Sequence, residues 1–287
     1  ISKLKNIIYY KKKIGDNLFP IFKKYEITTV INFAAETHVD NSIKNPNKFI
    51  DSNIIQLIKL FNFSKNYFLK LNNLKKKKFK FIQISTDEVF GSLNKKQSKF
   101  KESNKFFPNN PYSATKAAGD IFARAWFKTY DLPIITTNCS NNYGRYQNKE
   151  KLIPKIILNS IKGKDIPIYG DGRNKREWIH VKDHCEAILR LIKKGIVGET
   201  YNIGSDYEIE NIKLVKLICK ILDEIYPKKN KSSYFDQVKF VKDRKAHDLR
   251  YSINSSKIKK LTGWKTKINF DKGLRDTIKF YVESSKR

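Results

Sequence analysis

Methionine is absent from this chain, and cysteine, proline, arginine and glycine are scarce: three, eight, nine and twelve residues in 287. A chain that opens on Ile1 and holds no Met reads as a fragment or a processed product. Cys139, Cys185 and Cys219 are scattered without CxxC spacing, so reduced, buried thiols are expected and a disulfide framework is not. No apolar run approaches about 18 residues and no signal-peptide pattern is present, so no membrane partner is expected and the cytoplasm is the expected location. Acidic residues are also few, 28 against 59 basic, for a net charge of +31. Such a charge raises the question of nucleic acid, but the excess is almost all lysine, and arginine makes the commonest bidentate base contacts. Lys, Ile, Asn, Phe and Tyr share A/T-rich codons, so one mutational bias accounts for the composition. Specific nucleic-acid binding is not expected, only nonspecific adhesion at low salt.

Metal and hydrolase chemistry find equally little support. His180 and His184 are four apart, but Asp183 reads as the cap of a helix starting there, with His180 on a preceding strand. No further ligand cluster stands nearby, and no nucleophile elbow is present.

What the chain does contain centres on two stretches about 25 residues apart, Ser85-Thr86-Asp87-Glu88-Val89-Phe90-Gly91 and Tyr112-Ser113-Ala114-Thr115-Lys116. The first follows an aromatic and branched run, 79–84, that reads as a buried parallel strand. Ligands of open α/β sheets bind beyond the carboxyl ends of strands, where Thr86, Asp87 and Glu88 would stand. The second opens a helical segment over 114–130, with Tyr112 and Lys116 on one face. An ammonium beside a phenol lowers its pKa from about 10, which makes Tyr112 a candidate base for a sugar hydroxyl. Either motif alone is weak: YxxxK arises by chance, and an Asp-Glu pair is commonly a solvated turn. Their order and spacing strengthen the reading.

Around them the pattern alternates. A helix is expected at 18–25, a strand at 28–33, a helix at 47–65, a basic loop, the strand bearing Thr86, and a strand at 133–138. Alternation of this kind predicts an α/β fold with a parallel sheet and helices on both faces. Beyond Gly144 the reading is a helix at 151–162, a turn-rich loop at 167–172 and strands at 176–181 and 199–204. Helices are expected near 182–194, 211–226, 254–261 and 271–284. No internal repeat or disordered linker stands out.

The ordered series AAETHVDNSI (34–43), ISTDEVFG (84–91), PYSATKAAGD (111–120), TNCSNNYG (137–144), EKLIP (150–154), PIYGDG (167–172), REWIHVKDH (176–184), TYNIG (200–204) and DRKAHDLRY (243–251) resembles a family over nearly the whole chain. It is the nucleotide-sugar epimerase and dehydratase family of the extended short-chain dehydrogenases, and within it the dTDP-glucose 4,6-dehydratases. Thr86-Asp87-Glu88 discriminates, since the related epimerases carry other residues at the pair. The resemblance implies a Rossmann-type doubly wound sheet, here without its first strands, and a smaller C-terminal α/β substrate domain. Residues 1–144 rejoined by 178–204 would bind NAD; 145–177 and 205–287 would bind the nucleotide sugar. It also implies a homodimer.

The implied chemistry is oxidation of glucose at C4 with Tyr112 as base and Lys116 tuning it. Glu88 then removes the C5 proton, Asp87 protonates the departing 6-hydroxyl, and hydride returns to C6, with Thr86 bonding near O4. Elimination needs one carboxylate charged and its neighbour protonated. The implied cofactor residues are Phe33, Ala34, Ala35, Glu36, Thr37, Ser52, Tyr112, Lys116 and Asn142. The implied substrate residues are Thr37, Thr86, Asn141, Lys151, Leu152, Pro167, Ile168, Tyr169, Arg176, Asn211, Asp243, Arg244, Lys245, Ala246 and His247. Arg176 and Arg244 suit a diphosphate, whereas Leu152, Pro167 and Ile168 could equally be core.

The chain departs from the pattern in places. It holds no glycine-rich GxxGxxG turn to cradle the NAD pyrophosphate, so the 287 residues alone are expected not to retain NAD and to leave an unpaired sheet edge. Lys11-Lys12, or after a short deletion Gly15-Asp16, falls where an adenine-contacting Asp-Ile is usual; the C-terminus also reads as short. Ser52 stands for Thr, Phe90 for Tyr and Lys245-Ala246 for Pro-Gly, each read as tolerable. The alternatives are an inactive or partner-dependent remnant, or a UDP-sugar epimerase or decarboxylase.

Overall fold

A computed structural model describes residues 6–285. Helix α1 (Phe19–Lys24) leads into strand β1 (Thr29–Asn32). Helices α2 (Val39–Lys44), α3 (Pro46–Ile50) and α4 (Gln56–Leu69) follow, with one π turn, Asp51–Ile55, joining the last two. The expected 47–65 helix therefore exists but widens at its middle. The basic loop is a correction: α5 (Asn73–Lys78) is a short helix, capped by Asn72 and ending in four lysines beside its carbonyl terminus.

Next come β2 (Lys80–Thr86), α6 (Pro111–Tyr130) and β3 (Ile134–Cys139). With β7 (Thr200–Ile203), introduced by β6 (Lys175–His180) and α8 (Val181–Lys194), they form a parallel sheet of order β1-β2-β3-β7. The apolar runs are continuous because both faces of this sheet are covered. Phe81 and Ile134 join Phe22, Leu57, Leu60 and Phe61 on the side of α1, α4 and α6. Their neighbours Ile82 and Ile135 point the other way, into Ile188, Leu191 and Trp264. Each such fully buried side chain contributes about 1.5–3 kcal/mol.

The remaining elements make a second layer. Strand β4 (Asn141–Tyr143) pairs with β6, which pairs antiparallel with β8 (Glu208–Glu210). Strand β5 (Ile166–Tyr169) pairs in parallel with β9 (Val238–Val241). The turn-rich reading of 167–172 is corrected here: the chain is extended through Tyr169 and turns only at Gly170–Gly172, where both glycines have positive φ. Helices α7 (Leu152–Ile161), α9 (Asn211–Ile225) and α11 (Phe270–Ser285) enclose Ile153, Ile157, Leu214, Ile218, Leu274 and Ile278. Helix α10 (Ser256–Thr262) packs on α8 and β7.

The cap of α8 is a second correction. His180 Nδ1 accepts the Lys182 amide at 3.2 Å, while Asp183 is buried one turn in and accepts the amides of Lys267 and Ile268, both at 3.1 Å. Asp183 therefore ties α8 to the segment before α11. Among the described residues no helix is long and apolar enough to cross a membrane.

Candidate active site

Strand β2 delivers Thr86 to the rim of the sheet, and Asp87–Phe90 form one 3-10 turn capped by Thr86, whose hydroxyl accepts the Glu88 amide at 3.3 Å. Gly91 ends the turn at φ 81°, with the Phe107 carbonyl where any Cβ would fall. Helix α6 starts opposite. Asn110 caps it in a reciprocal box with Ser113, Pro111 occupies its first turn, and the Tyr112 amide donates to Ser42 Oγ at 3.2 Å. Both Tyr112 and Lys116 thus lie within the helix and are buried.

These groups line one cavity of about 530 Å³ between the two layers. Burial raises the Asp87 carboxyl well above the carboxylate range, and the charges of Glu88 and Glu177 add to it. Glu88 is raised as well, by burial, but less far; Arg176 opposes the rise in both. The pair is therefore split, with Asp87 the better acid-form donor and Glu88 the more readily ionised base. The Thr86 hydroxyl donates to Asp87 Oδ1 at 3.3 Å.

Tyr112 behaves differently from the sequence reading. Burial, then Glu88 and Cys139, hold its phenol well above the usual value. The Lys116 ammonium is turned to the Ile84 carbonyl, at 2.7 Å, and is balanced by Asp120, whose carboxyl burial lifts to about 6. In this arrangement the Lys116 ammonium is held by the Ile84 carbonyl, and the Thr86 hydroxyl favours the phenolate.

The model of the GDP-mannose 4,6-dehydratase family matches residues 3–277. The dTDP-glucose 4,6-dehydratase of Haemophilus influenzae is 47% identical over 92% of this chain and 79% of its own length. The crystal structure of a dTDP-glucose 4,6-dehydratase from Streptomyces venezuelae with NAD and TYD bound matches with a TM-score of 0.87 and 34% identity, over 99% of this chain and 82% of that one. That of Bacillus anthracis, in complex with NAD, gives 0.84 and 39% over the same shares. The chain belongs to the dTDP-glucose 4,6-dehydratase family.

Most residues carried over from the family border the cavity: Phe33, Ala35, Thr37, Asn141, Asn142, Lys151, Leu152, Pro167, Ile168, Tyr169, Arg176, Asn211, Arg244, Ala246 and His247. Five do not. Ala34 and Glu36 face away along the loop after β1, where Glu36 pairs with Lys48. Ser52 sits on the π turn, Lys245 lies outside the lining, and Asp243 is spent on His247 Nδ1 at 2.7 Å. Arg176 is buried against Tyr251, its guanidinium 4.3 Å from the ring centre, and gives hydrogens to the carbonyls of Lys175, Asp248 and Leu249.

Two residues at or behind the cavity wall, Asn53 and Gln147, were not singled out from the sequence, and His184 was weighed only as a metal ligand. Asn53, buried on the π turn, accepts the Glu36 amide at 2.8 Å and donates to the Glu36 carbonyl and to Thr115, pinning the loop after β1 to α6. Its only signal was a polar residue within an apolar helical run. His184 bonds Asn142 Oδ1 at 2.9 Å, and Gln147 donates to the Asn142 carbonyl at 2.8 Å.

Ala246 qualifies the tolerance assigned to it. Its φ is 51°, a left-handed conformation that costs a Cβ-bearing residue about 1–2 kcal/mol. Part of that returns through the freer unfolded state of glycine. Ala246→Gly should stabilise the chain by up to about 1 kcal/mol, read as a higher urea midpoint; a lower midpoint would contradict the strain.

Proposed function

We propose that this chain converts dTDP-glucose to dTDP-4-keto-6-deoxyglucose as an NAD-dependent lyase. The supporting observation is the Asp87-Glu88 pair, Asp87 buried and Glu88 half-buried, with separated proton affinities and set in one cavity with Tyr112 and Thr86. Tyr112 takes the C4 hydroxyl proton, and Thr86 holds that oxygen. Glu88 removes the C5 proton, made acidic by the new ketone, while Asp87 hands its proton to the departing 6-hydroxyl. When bound, NAD supplies the hydride acceptor for C4, the hydride donor for C6 and a positive charge that favours the phenolate.

The residues present fit the nicotinamide end of such a cofactor. Ser140 Oγ and His184 Nε2 are buried without a protein partner beside the cavity. Asn142 and the loop at 33–37 complete that end. The 287 residues contain no glycine-rich turn for the pyrophosphate. The substrate side would comprise Lys151, Tyr169, Asn211, Arg244 and His247, within the division 1–144 with 178–204 against 145–177 with 205–287.

A cytoplasmic homodimer is part of the proposal. Exposed Ile50, Ile55 and Ile121 on α3, the π turn and α6 support an apolar self-association surface, which sedimentation reads directly. The deciding experiment is turnover of dTDP-glucose in deuterated water by the chain joined to a family-type glycine-turn segment and loaded with NAD. Deuterium should enter C5 of the product. An epimerase moves hydrogen only at C4, so unlabelled C5 in an active enzyme would exclude the dehydratase reading.

A further inference from the structure

One ion pair crosses the cavity mouth. Arg244, in the loop after β9, donates through Nε to Asp40 Oδ1 at 2.5 Å and through Nη2 to Asp40 Oδ2 at 3.2 Å. Asp40 lies in the first turn of α2, in the sheet layer. The Tyr169 hydroxyl, at the end of β5, donates to the same Oδ2 at 3.0 Å, and the guanidinium lies 5.0 Å from the Tyr169 ring centre. All three line the cavity. Close by, Lys151 Nζ donates to the Thr37 carbonyl at 2.7 Å, a second tie between the layers.

The hydrogen inventory of the guanidinium carries the argument. Arginine has five N–H hydrogens in a planar fork. Asp40 takes the one on Nε and one on Nη2, and the Tyr169 hydroxyl also interacts with the guanidinium. The end-on edge, one hydrogen from each Nη, matches two phosphate oxygens, and Asp40 occupies neither of its hydrogens. A carboxylate on the side edge therefore leaves the phosphate-binding edge intact while fixing the plane. The pair is about a quarter exposed on both sides, so solvent screens it only in part. Burial pushes the Asp40 carboxyl up, but Arg244 and Tyr169 outweigh it and keep the group ionised.

We propose that Asp40 is a positioning residue for the nucleotide diphosphate: it holds Arg244 and Tyr169 across the cavity mouth so that the end-on edge of the guanidinium is presented to the ligand. This rests on the reading that Arg244 meets the diphosphate. Asp40 itself touches no ligand atom. Holding the side chain in advance removes ordering cost from binding, so the effect belongs in affinity and KM and not in kcat.

The test is calorimetric titration of the chain with dTDP, which needs no nicotinamide cofactor. Asp40→Asn, nearly isosteric, should weaken dTDP about 10-fold, and Asp40→Glu should recover part of that loss. Arg244→Ala should weaken it at least as much, and the double variant Asp40→Asn/Arg244→Ala no further than Arg244→Ala alone. Tyr169→Phe, which keeps the ring and removes one hydrogen bond, serves as a second probe and should lose a smaller factor. Thermal melts separate folding from affinity, because a merely structural Asp40 would move the melt and leave the dTDP affinity of the folded protein unchanged. Affinity within two-fold of the parent in Asp40→Asn, or tighter binding, would overturn the proposal while leaving the site reading intact. Binding unaffected by Arg244→Ala, or no dTDP binding by the parent chain, would remove the site reading and this inference with it.

Discussion

Glu88→Gln in the NAD-loaded enzyme should lower turnover by about 10²–10⁴, the usual loss for one positioned base. The amide keeps the volume and cannot take the C5 proton, so the reaction should halt after oxidation. A single turnover would then show reduced nicotinamide absorbance that rises and persists. Tyr112→Phe should behave oppositely, with little reduced nicotinamide formed, because the C4 hydroxyl keeps its proton. The contrast separates the two roles in one cavity. Glu88→Gln turning over at the parent rate, or failing to accumulate reduced cofactor, would take the elimination step away from Glu88. The expectation follows from the split pair, in which Asp87 is pushed further toward its acid form than Glu88.

Stability should fall on acidification through His184. Burial lowers its imidazole to about 4, against an ordinary value near 6.5. The folded state therefore resists a proton that the unfolded chain accepts. The contribution is fully present above about pH 6.5 and is lost as pH falls toward 4. Across that window the loss approaches about 3 kcal/mol, a factor of more than 100 in the folded-to-unfolded ratio. Urea midpoints at pH 7 and pH 4.5 measure it, compared between the parent and His184→Gln, which cannot titrate. The raised Asp87 and Glu88 shift stability the other way on acidification, but they are common to both proteins and cancel in the difference. An equal pH dependence in parent and variant would show that His184 is not the group responsible. The consequence reaches the site, since the proton would enter at Nε2, which has no protein partner, while Nδ1–H keeps its bond to Asn142 Oδ1.

Local pattern carried most of the sheet layer. Residues 79–84 and 133–138 are apolar runs bounded by turn residues, and they became β2 and β3 within two residues at either end. A strand buried on both faces needs no information from outside itself to show. The same holds for most of α6, expected over 114–130 with Tyr112 and Lys116 on one face; it begins three residues earlier, at Pro111, where Asn110 caps it. The short elements were harder to read. Strands β4, β8 and β9 are three or four residues long, and β9 is mostly exposed on its own, so its pairing with β5 left no periodic trace. Helix α5 was hidden by its lysines, whose charge resembles a loop.

The sequence by itself determined the family, the parallel sheet and the chemical triplet at the end of β2, because each rests on neighbouring residues or on fixed spacing. Only the tertiary structure decided what those residues face. Asp40 and Arg244 are 204 positions apart, Asn53 and Thr115 are 62 apart, and neither pairing has a local signature. Lys116, placed correctly on its helix, turned to the Ile84 carbonyl, which no spacing foretold. Proton affinities followed the same division. Asp87 and Glu88 are adjacent and chemically alike, and Asp87 is raised further, with Glu177 on β6 adding to it while Arg176 on the same strand opposes the rise in both. Charge interactions act through space and depend on the surrounding dielectric, so they are set by the fold and not by the order of residues along it.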